Sequence, residues 1–497
     1  MQTRVEDNRR RDVKIAVLSD LHWSGQGGNA RDPDGIGDIL LARAVRRLNE
    51  LVKPDLVLLV GDLIEDGTAP DAAERLEQLR TILSELAAPF VALPGNHEGD
   101  ADAFYRVFER PSPIADLAGV RLLCFEDSAE PRHNARRTDR DIQRFRQARA
   151  GYAGPIVSAQ HCCLFPPDAA DGPYNYVNAP AILDAMREAQ VTLSVSGHYH
   201  RGLPDVRRGA TTFVNAPALC RRPFRFVVAT LCDDAVHSQV HELAMTRAAA
   251  LSDWHVHSQF AYCSKNMDFA RAVQLAEVFG LHGLGFAEHS GQLYFDRDTY
   301  WSGRCLADGI GAAAPEPRID AYFAEGRAFA GARVRIGLEI DCDYEGRPLV
   351  KPAAWKRAAF RIGAMHKLPG LAHGGATRDA RAICEQFLGL LERFLETPID
   401  ILAHPFRVFR RAGAETPPQL FEPTAALLKR TGTAAELNFH TNRPPLEFVR
   451  RCLRNGVKLA FGSDAHHLHE IGDFSYNLAL LEQAGFDGEP ADVLLGW

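Results

Sequence analysis

Short apolar runs alternate with amphipathic stretches along nearly the whole chain. In the first half, the runs VKIAVLS (13–19), DLVLLVG (55–61), FVALPG (90–95), PIVSAQ (155–160) and VTLSVSG (191–197) predict buried strands. Amphipathic stretches separate them. In Asp71–Leu86, for example, Leu76, Leu79, Leu83 and Leu86 share one face, with Asp71 as the expected cap and Glu74 completing a capping box. A second alternation begins near residue 250. Its strands are WHVH (254–257), GLGFA (283–287), RVRIGLEI (333–340), FRIGAM (360–365), DILA (400–403), AAELNF (434–439) and KLAFGS (458–463). Helices lie between, such as Asp268–Phe279 closed by Gly280 and Pro445–Asn455 closed by Gly456. The pattern predicts an α/β chain of two domains, 12–241 and 251–497, with the boundary at 242–252. The Gly/Ala/Pro-rich stretch Tyr300–Arg318 is expected to be a long loop over a site.

Composition narrows the class. A chain of 497 residues with 46% apolar residues can bury a core in each half. No apolar run reaches membrane length, and MQTRVEDNRRRDVK is charged where a signal peptide is apolar, so the expectation is a cytoplasmic protein with no membrane partner. Ten scattered cysteines, with no CxxC pair, fit small core residues better than a disulfide framework. The formal charge of −7 argues against a grip on long nucleic acid. The arginine clusters Arg132–Arg149 and Arg221–Arg225 read first as solvated faces, with a local phosphate grip as the alternative.

Histidine changes the picture. There are 19, and many stand beside Asp, Glu or Asn just after apolar runs. In the first half the strands lead into Asp20-Leu21-His22, Gly61-Asp62, Gly95-Asn96-His97-Glu98, Gln160-His161 and Gly197-His198-Tyr199-His200. Strand ends meet at one edge of a sheet, so these side chains can converge. Carboxylate, imidazole and amide oxygen together suit Mn, Fe or Zn, and Asp62 is the natural bridge between two ions. Two cations about 4 Å apart would activate water and neutralise phosphoryl charge.

The order DLH, GD, GNHE, H, GHYH resembles the calcineurin-like metallophosphoesterases, near their cyclic-nucleotide phosphodiesterase branch, over about residues 13–235. The resemblance implies a β-sandwich flanked by helices. It implies one divalent ion on Asp20, His22, Asp62 and His200 and another on Asp62, Asn96, His161 and His198. His97 would protonate the leaving oxygen or stabilise its charge. The stretch after His161 is expected to wall the pocket, where Tyr174, Asn175 and Tyr176 either stack on a base or simply pack the loop.

The second half places His255, His257, Glu288, His289, Glu339, His366, His404, Asp464 and His466 at strand ends. DWHVHS, GFAEHS, IGLEID, GAMH, LAHP and FGSDAH resemble the polymerase and histidinol phosphatase (PHP) family over about 251–497. That resemblance implies a distorted (β/α)7 barrel with two or three Mn, Zn or Fe ions. His255, His257, Glu339 and Asp464 would hold the first. Glu339, His366 and His404 would hold the second, and His289 and His466 a third. The family often has a further histidine six residues after His257. Here Cys263 stands there, either as a thiolate ligand or as a structural cysteine. Lys367 and Arg443 are candidate phosphate binders, with a surface charge as the alternative. His440 and His467 fall in no motif and are expected at the surface.

These readings favour a bifunctional phosphoesterase acting on small phosphorylated substrates, a diester in the first domain and a monoester in the second. The alternatives are one catalytic domain with a regulatory or structural partner domain, or a nucleic-acid-processing nuclease.

Overall fold

A computed structural model describes residues 11–25, 27–169, 172–232, 235–245, 251–313, 318–371 and 380–497. These divide into two compact units, Met1–Ala244 and Met245–Trp497. Residues 246–250 of the expected boundary, 314–317 of the expected loop and 170–171 of the expected pocket wall lie outside the described residues.

In the first unit the five expected strands form and two sheets stack. One sheet runs Val236–Glu242, Arg225–Leu231, Val13–Leu18, Leu56–Val60, Phe90–Leu93, with the last three parallel. The other runs Leu203–Arg208, Thr211–Asn215, Leu193–Ser196, Ile156–Ala159, Val120–Cys124, Ala115–Leu117, parallel through its middle. Ile15, Val17, Leu58 and Val60 from one sheet meet Leu122, Val157, Leu193 and Val195 from the other in a single core. Helices Asp139–Arg149 and Ala179–Glu188 cover the outer face of the second sheet through Phe145, Ile182 and Met186. Further strands form beyond those expected: Val120–Cys124 and Arg225–Leu231 are buried apolar runs like the five, whereas Leu203–Arg208 and Ser128–Glu130 have no fully buried residue. Because the central strands are parallel, their C-terminal ends share one edge, and every expected ligand motif of this half sits there.

In the second unit seven strands run parallel in sequence order: Ser252–Val256, Gly283–His289, Val334–Asp341, Arg361–Ala364, Ile401–Leu402, Ala434–Leu437 and Leu459–Phe461. A parallel bridge between Val256 and Ala465, with the Asp464 amide donating to the His255 carbonyl at 2.7 Å, joins the last strand's end to the first. The result is a nearly closed barrel compatible with (β/α)7. Gly285 and Gly337 let the Phe360 ring approach the strands, since a Cβ at either would lie 2.7 or 2.6 Å from that ring.

Two local expectations are corrected. Tyr300–Arg318 is not an open loop: short helices Arg297–Ser302 and Arg304–Asp308 occupy its first part. Asp71 does not cap Ala72–Leu83 with its side chain; it pairs instead with Arg75 one turn on, at 2.6 Å. Leu86 lies beyond that helix, half-buried, whereas Leu76, Leu79 and Leu83 are buried. Asp268 does cap its helix, accepting from the Arg271 amide at 2.8 Å. Asp268→Ala should therefore cost about 1 kcal/mol, while Asp71→Ala loses only an exposed ion pair worth about 0.5 kcal/mol. Urea melts followed by circular dichroism and tryptophan fluorescence would measure both, and equal losses would overturn the contrast.

Candidate metal centres

In the first unit Asp20, His22, Asp62 and His198 adopt left-handed backbone, with φ between 50° and 67°. Such φ values are enriched in Asp and His and rare elsewhere. The turn they make throws each side chain inward from its strand end. Gly197 permits the crowding, for a Cβ there would overlap Ser19 Oγ. The His198 amide then donates to Asp20 Oδ2 at 2.9 Å, tying the two sheets together at the site.

Two donor groups meet across Asp62. His22 Nε2 lies 3.1 Å from His200 Nε2 and 3.6 Å from Asp62 Oδ2, and Asp20 Oδ1 lies 3.3 Å from His200 Nε2. On the other side His161 Nε2 is 3.2 Å from Asp62 Oδ2, 3.1 Å from Asn96 Oδ1 and 3.0 Å from His198 Nδ1. Asp20 Oδ1 is buried without a hydrogen-bond donor. Burial alone would raise the pKa of Asp62, but His161 outweighs it and holds the carboxyl at about 2. Asp20 is likewise held well below its usual range by His200 and His22 against its own burial. Two buried carboxylates, ionised and flanked by imidazoles that can supply the opposite charge or bind an ion in its place, fit divalent cations.

Sequence reasoning left Glu98 without a role. It is buried, and its carboxyl accepts from the amides of Asp62, Leu63, Ile64 and Gly95, fixing the loop that presents Asp62. The His97 amide donates to Asp62 Oδ1 at 2.9 Å. Its ring Nδ1 lies 2.6 Å from the Glu65 carbonyl, which can only accept, so Nδ1 carries the proton and Nε2 is left for chemistry. A cavity of about 560 Å³ opens over Asp62, Asn96, His97, His198 and His200. Tyr174 walls it, its ring 5.0 Å from that of His198. Tyr176 is instead buried against Asp127 and Arg137, and Asn175 bonds the Phe165 carbonyl, so these two pack the loop. Arg221 and Arg222 of the Arg221–Arg225 cluster are exposed, as a solvated face would be, and with Arg225 they also line the cavity. Arg137, from the other cluster, is a buried partner of Asp127.

The second unit gathers its donors around Glu339. Glu339 Oε2 lies 3.6 Å from His255 Nε2 and 3.8 Å from His257 Nε2, and Asp464 Oδ1 is 2.9 Å from His257 Nε2. Glu339 Oε1 faces the other way, 3.2 Å from His366 Nε2 and 2.8 Å from His404 Nε2. His289 Nδ1 also contacts Oε2. Glu339 Oε2, His255 Nε2 and His366 Nε2 are buried without hydrogen-bond partners. Burial would raise the Glu339 pKa, but His289, His366 and His255 hold it well below the usual range. Cys263 Sγ lies 3.1 Å from His466 Nε2 and 3.5 Å from His289 Nε2, at the position expected from its spacing. His257, His289 and His466 also form one possible ion-holding group.

Three carboxylates that sequence reasoning left without a role orient these rings. Glu436 accepts from His255 Nδ1 at 2.7 Å, Glu288 from His257 Nδ1 at 3.1 Å and Asp341 from His366 Nδ1 at 2.6 Å. Each fixes a tautomer that turns Nε2 toward Glu339 or Asp464. Arg407 is also new: its buried guanidinium contacts Asp464 Oδ2 and lies 2.6 Å from His404 Nε2. A cavity of about 180 Å³ is lined by Cys263, His289, His366, Arg407, Arg411 and His466, among others. His440 and His467 line it too, which corrects their placement at the surface; His440 stacks on His466 with ring centroids 4.5 Å apart. Lys367 stands outside the lining, donating to the Trp301 carbonyl, and Arg443 is exposed outside it.

Comparison with known proteins bears on the first unit. The family model for calcineurin-like phosphoesterases matches residues 13–202, the stretch that carries Asp20, Asp62, His161 and His200. A probable cyclic nucleotide phosphodiesterase of Synechococcus is 30% identical over 216 residues, 41% of this chain and 80% of that relative. An uncharacterized protein of Schizosaccharomyces pombe is 35% identical over 104 residues, which is 20% of each chain. Among solved structures, a dimetal phosphatase from Danio rerio aligns with 16% identity and a TM-score of 0.38, covering 46% of this chain and 96% of that one. Through its first unit, the chain belongs to the calcineurin-like phosphoesterase family of phosphoric ester hydrolases.

Proposed function

We propose that the chain carries two metal-dependent phosphoesterase centres, a phosphodiesterase in the first unit and a PHP-type phosphomonoesterase in the second, acting on small phosphorylated substrates. One observation carries the reading. In each unit a buried carboxylate, Asp62 or Glu339, stands between two sets of imidazoles, and nearby buried donor atoms lack partners. In the first unit Asp20, His22, Asp62 and His200 would hold one ion, and Asp62, Asn96, His161 and His198 the other. In the second, His255, His257, Glu339 and Asp464 would hold one, and Glu339, His366 and His404 another. Such ions, Mn, Fe or Zn on this donor set, supply Lewis acidity at phosphoryl oxygens.

The chain's own residues divide the remaining work. His97, anchored by Nδ1–H to the Glu65 carbonyl, would act in its doubly protonated form, passing the Nε2 proton to the leaving oxygen and returning to the neutral ring. In the second unit Arg411 lines the cavity and suits a phosphate dianion, while Arg407 beside it is held by Asp464. The cavity sizes, about 560 and 180 Å³, support a bulky diester in the first and a smaller phosphate end in the second. No helix among the described residues is long and apolar enough to cross a membrane. Ten free cysteines, eight of them buried, support a reducing cytoplasmic setting.

Asp62→Ala should abolish diester hydrolysis and spare monoester hydrolysis, and Glu339→Ala should do the converse. Paired assays on bis(p-nitrophenyl) phosphate and p-nitrophenyl phosphate, with melts to show folding, test this. Loss of both activities from either folded variant would sink the two-centre reading.

His97→Ala should slow alkyl diesters by about 100-fold or more while p-nitrophenyl diesters lose far less, because an alkoxide needs the proton and a nitrophenolate does not. Equal losses on both substrates would make His97 a binding or folding residue.

Cys263, His289 and His466 form a third position for an ion in the second unit, and a thiolate there favours Zn. Cys263→Ser should lower bound zinc by about one ion per chain, measured by elemental analysis, and Cys263→His should restore it. An unchanged count in Cys263→Ser would make the cysteine structural and the centre dinuclear.

A further inference from the structure

The first-unit cavity has more positive charge than one diester can use. Five arginines line it, Arg31, Arg201, Arg221, Arg222 and Arg225, against a single lining carboxylate, Asp62. Three of the five are neutralised within the protein. Arg31 contacts Glu65, Arg222 lies 3.1 Å from Asp34, and Arg225 lies 2.7 Å from Glu242. The side chains of Arg201 and Arg221 have no hydrogen bond or ion pair among the described residues.

Their backbone is held to the ligand motifs. Arg201 directly follows His200, whose carbonyl accepts from the Ala218 amide at 3.0 Å. Arg221 follows Cys220, whose amide donates to the Asp20 carbonyl at 3.2 Å, while the Leu219 amide donates to Ser19 at 2.9 Å. Both guanidiniums are thus presented from chain fixed to the donor cluster. An aromatic wall also lines the cavity: Tyr174 contacts His133 and Tyr199, with ring centroids 5.6 and 6.1 Å apart.

A simple phosphodiester has one charged group, and that group belongs at the Asp62 donor cluster. It leaves two uncompensated guanidiniums that line the cavity from exposed positions, where like charges repel and an anion is favoured. Guanidinium is also the side chain best matched to phosphate oxygens. We propose that the substrate of this site is a phosphodiester that bears an aromatic ring and a second, non-scissile phosphate, with Arg201 and Arg221 gripping that second phosphate and Tyr174 facing the ring. This rests on the diesterase reading of the first unit and names its substrate class.

The test uses full-length protein with Glu339→Ala as background, so that the second unit does not consume the probes. Calorimetric titration compares thymidine 5′-monophosphate with thymidine 3′,5′-bisphosphate. Hydrolysis compares the p-nitrophenyl esters of the same two compounds at the 5′-phosphate, which share a leaving group and differ by one phosphate. The extra phosphate should improve both affinity and kcat/KM by about tenfold or more, as expected for charge-assisted bidentate contacts. In Arg201→Ala/Arg221→Ala each ratio should fall toward one, and the Lys replacements should retain part of it. Ratios near one in the parent, or ratios that survive the double substitution, would overturn the proposal. Hydrolysis of both esters with ratios of one would remove this inference and keep the diesterase reading. Tighter bisphosphate binding that depends on the two arginines, with no ester hydrolysed, would do the reverse.

Discussion

Each unit is organised around a buried anion that has to be neutralised. A carboxylate taken out of water is costly unless opposite charge or several donors surround it. Asp62 and Glu339 are fully enclosed, and the groups brought against them are imidazoles on two sides. Imidazole nitrogens about 3 Å apart, as in His22 with His200 and His161 with His198, compete for the same space unless a positive centre is shared among them. The sheets of the first unit and the barrel-like sheet of the second answer this demand by the same means. Parallel strands end together, and the side chains that follow those ends fall into one small volume.

Much of this was legible in the residues because the ligand motifs follow apolar runs immediately. A run such as DLVLLVG announces both a buried strand and the place where it stops, so Asp62 is located by its neighbours. Cys263 was located through the family resemblance, standing six residues after His257 where relatives often have a histidine, and it lies beside His289 and His466. Groups acting through another residue left a weaker trace. Glu98 reads as part of GNHE, yet its work is to collect four backbone amides from two loops far apart in sequence. Glu436 is a lone charge inside AAELNF, and only the fold shows that it meets His255, 181 residues away. Asp341 stands two residues after Glu339 on one strand, which offered a signal, since alternate residues share a face.

The misplaced expectations have physical causes. Asp71 stands where a cap belongs, but Arg75 one turn on offered its carboxylate a charged partner. His440 belongs to no motif, yet the turn after Leu437 returns it to the site, where Glu470 holds its Nδ1 and His466 stacks on it. The edge strands Leu203–Arg208 and Val236–Glu242 have no fully buried residue, so they carry little apolar alternation to betray them. The arginines at 221 and 222 are exposed, as expected of a surface run; what sequence does not reveal is that the preceding segment is stitched to Asp20, which sets them over the cavity.

The left-handed backbone at Asp20, Asp62 and Asp464 limits how these centres can drift over generations. At such a φ the short polar side chains of Asp and Asn are tolerated far better than branched or bulky ones. The nearest single replacements are therefore Asp with Asn, which keep the turn and remove the charge, whereas Glu would keep the charge and disfavour the turn. A lineage that loses catalysis at Asp20 or Asp62 can do so by one substitution while its fold remains intact. One that retains catalysis has almost no alternative residue to explore. Decay of the first centre would leave a well-folded domain with asparagine where Asp20 or Asp62 stands, and such a chain would be easy to mistake for an active relative by shape alone.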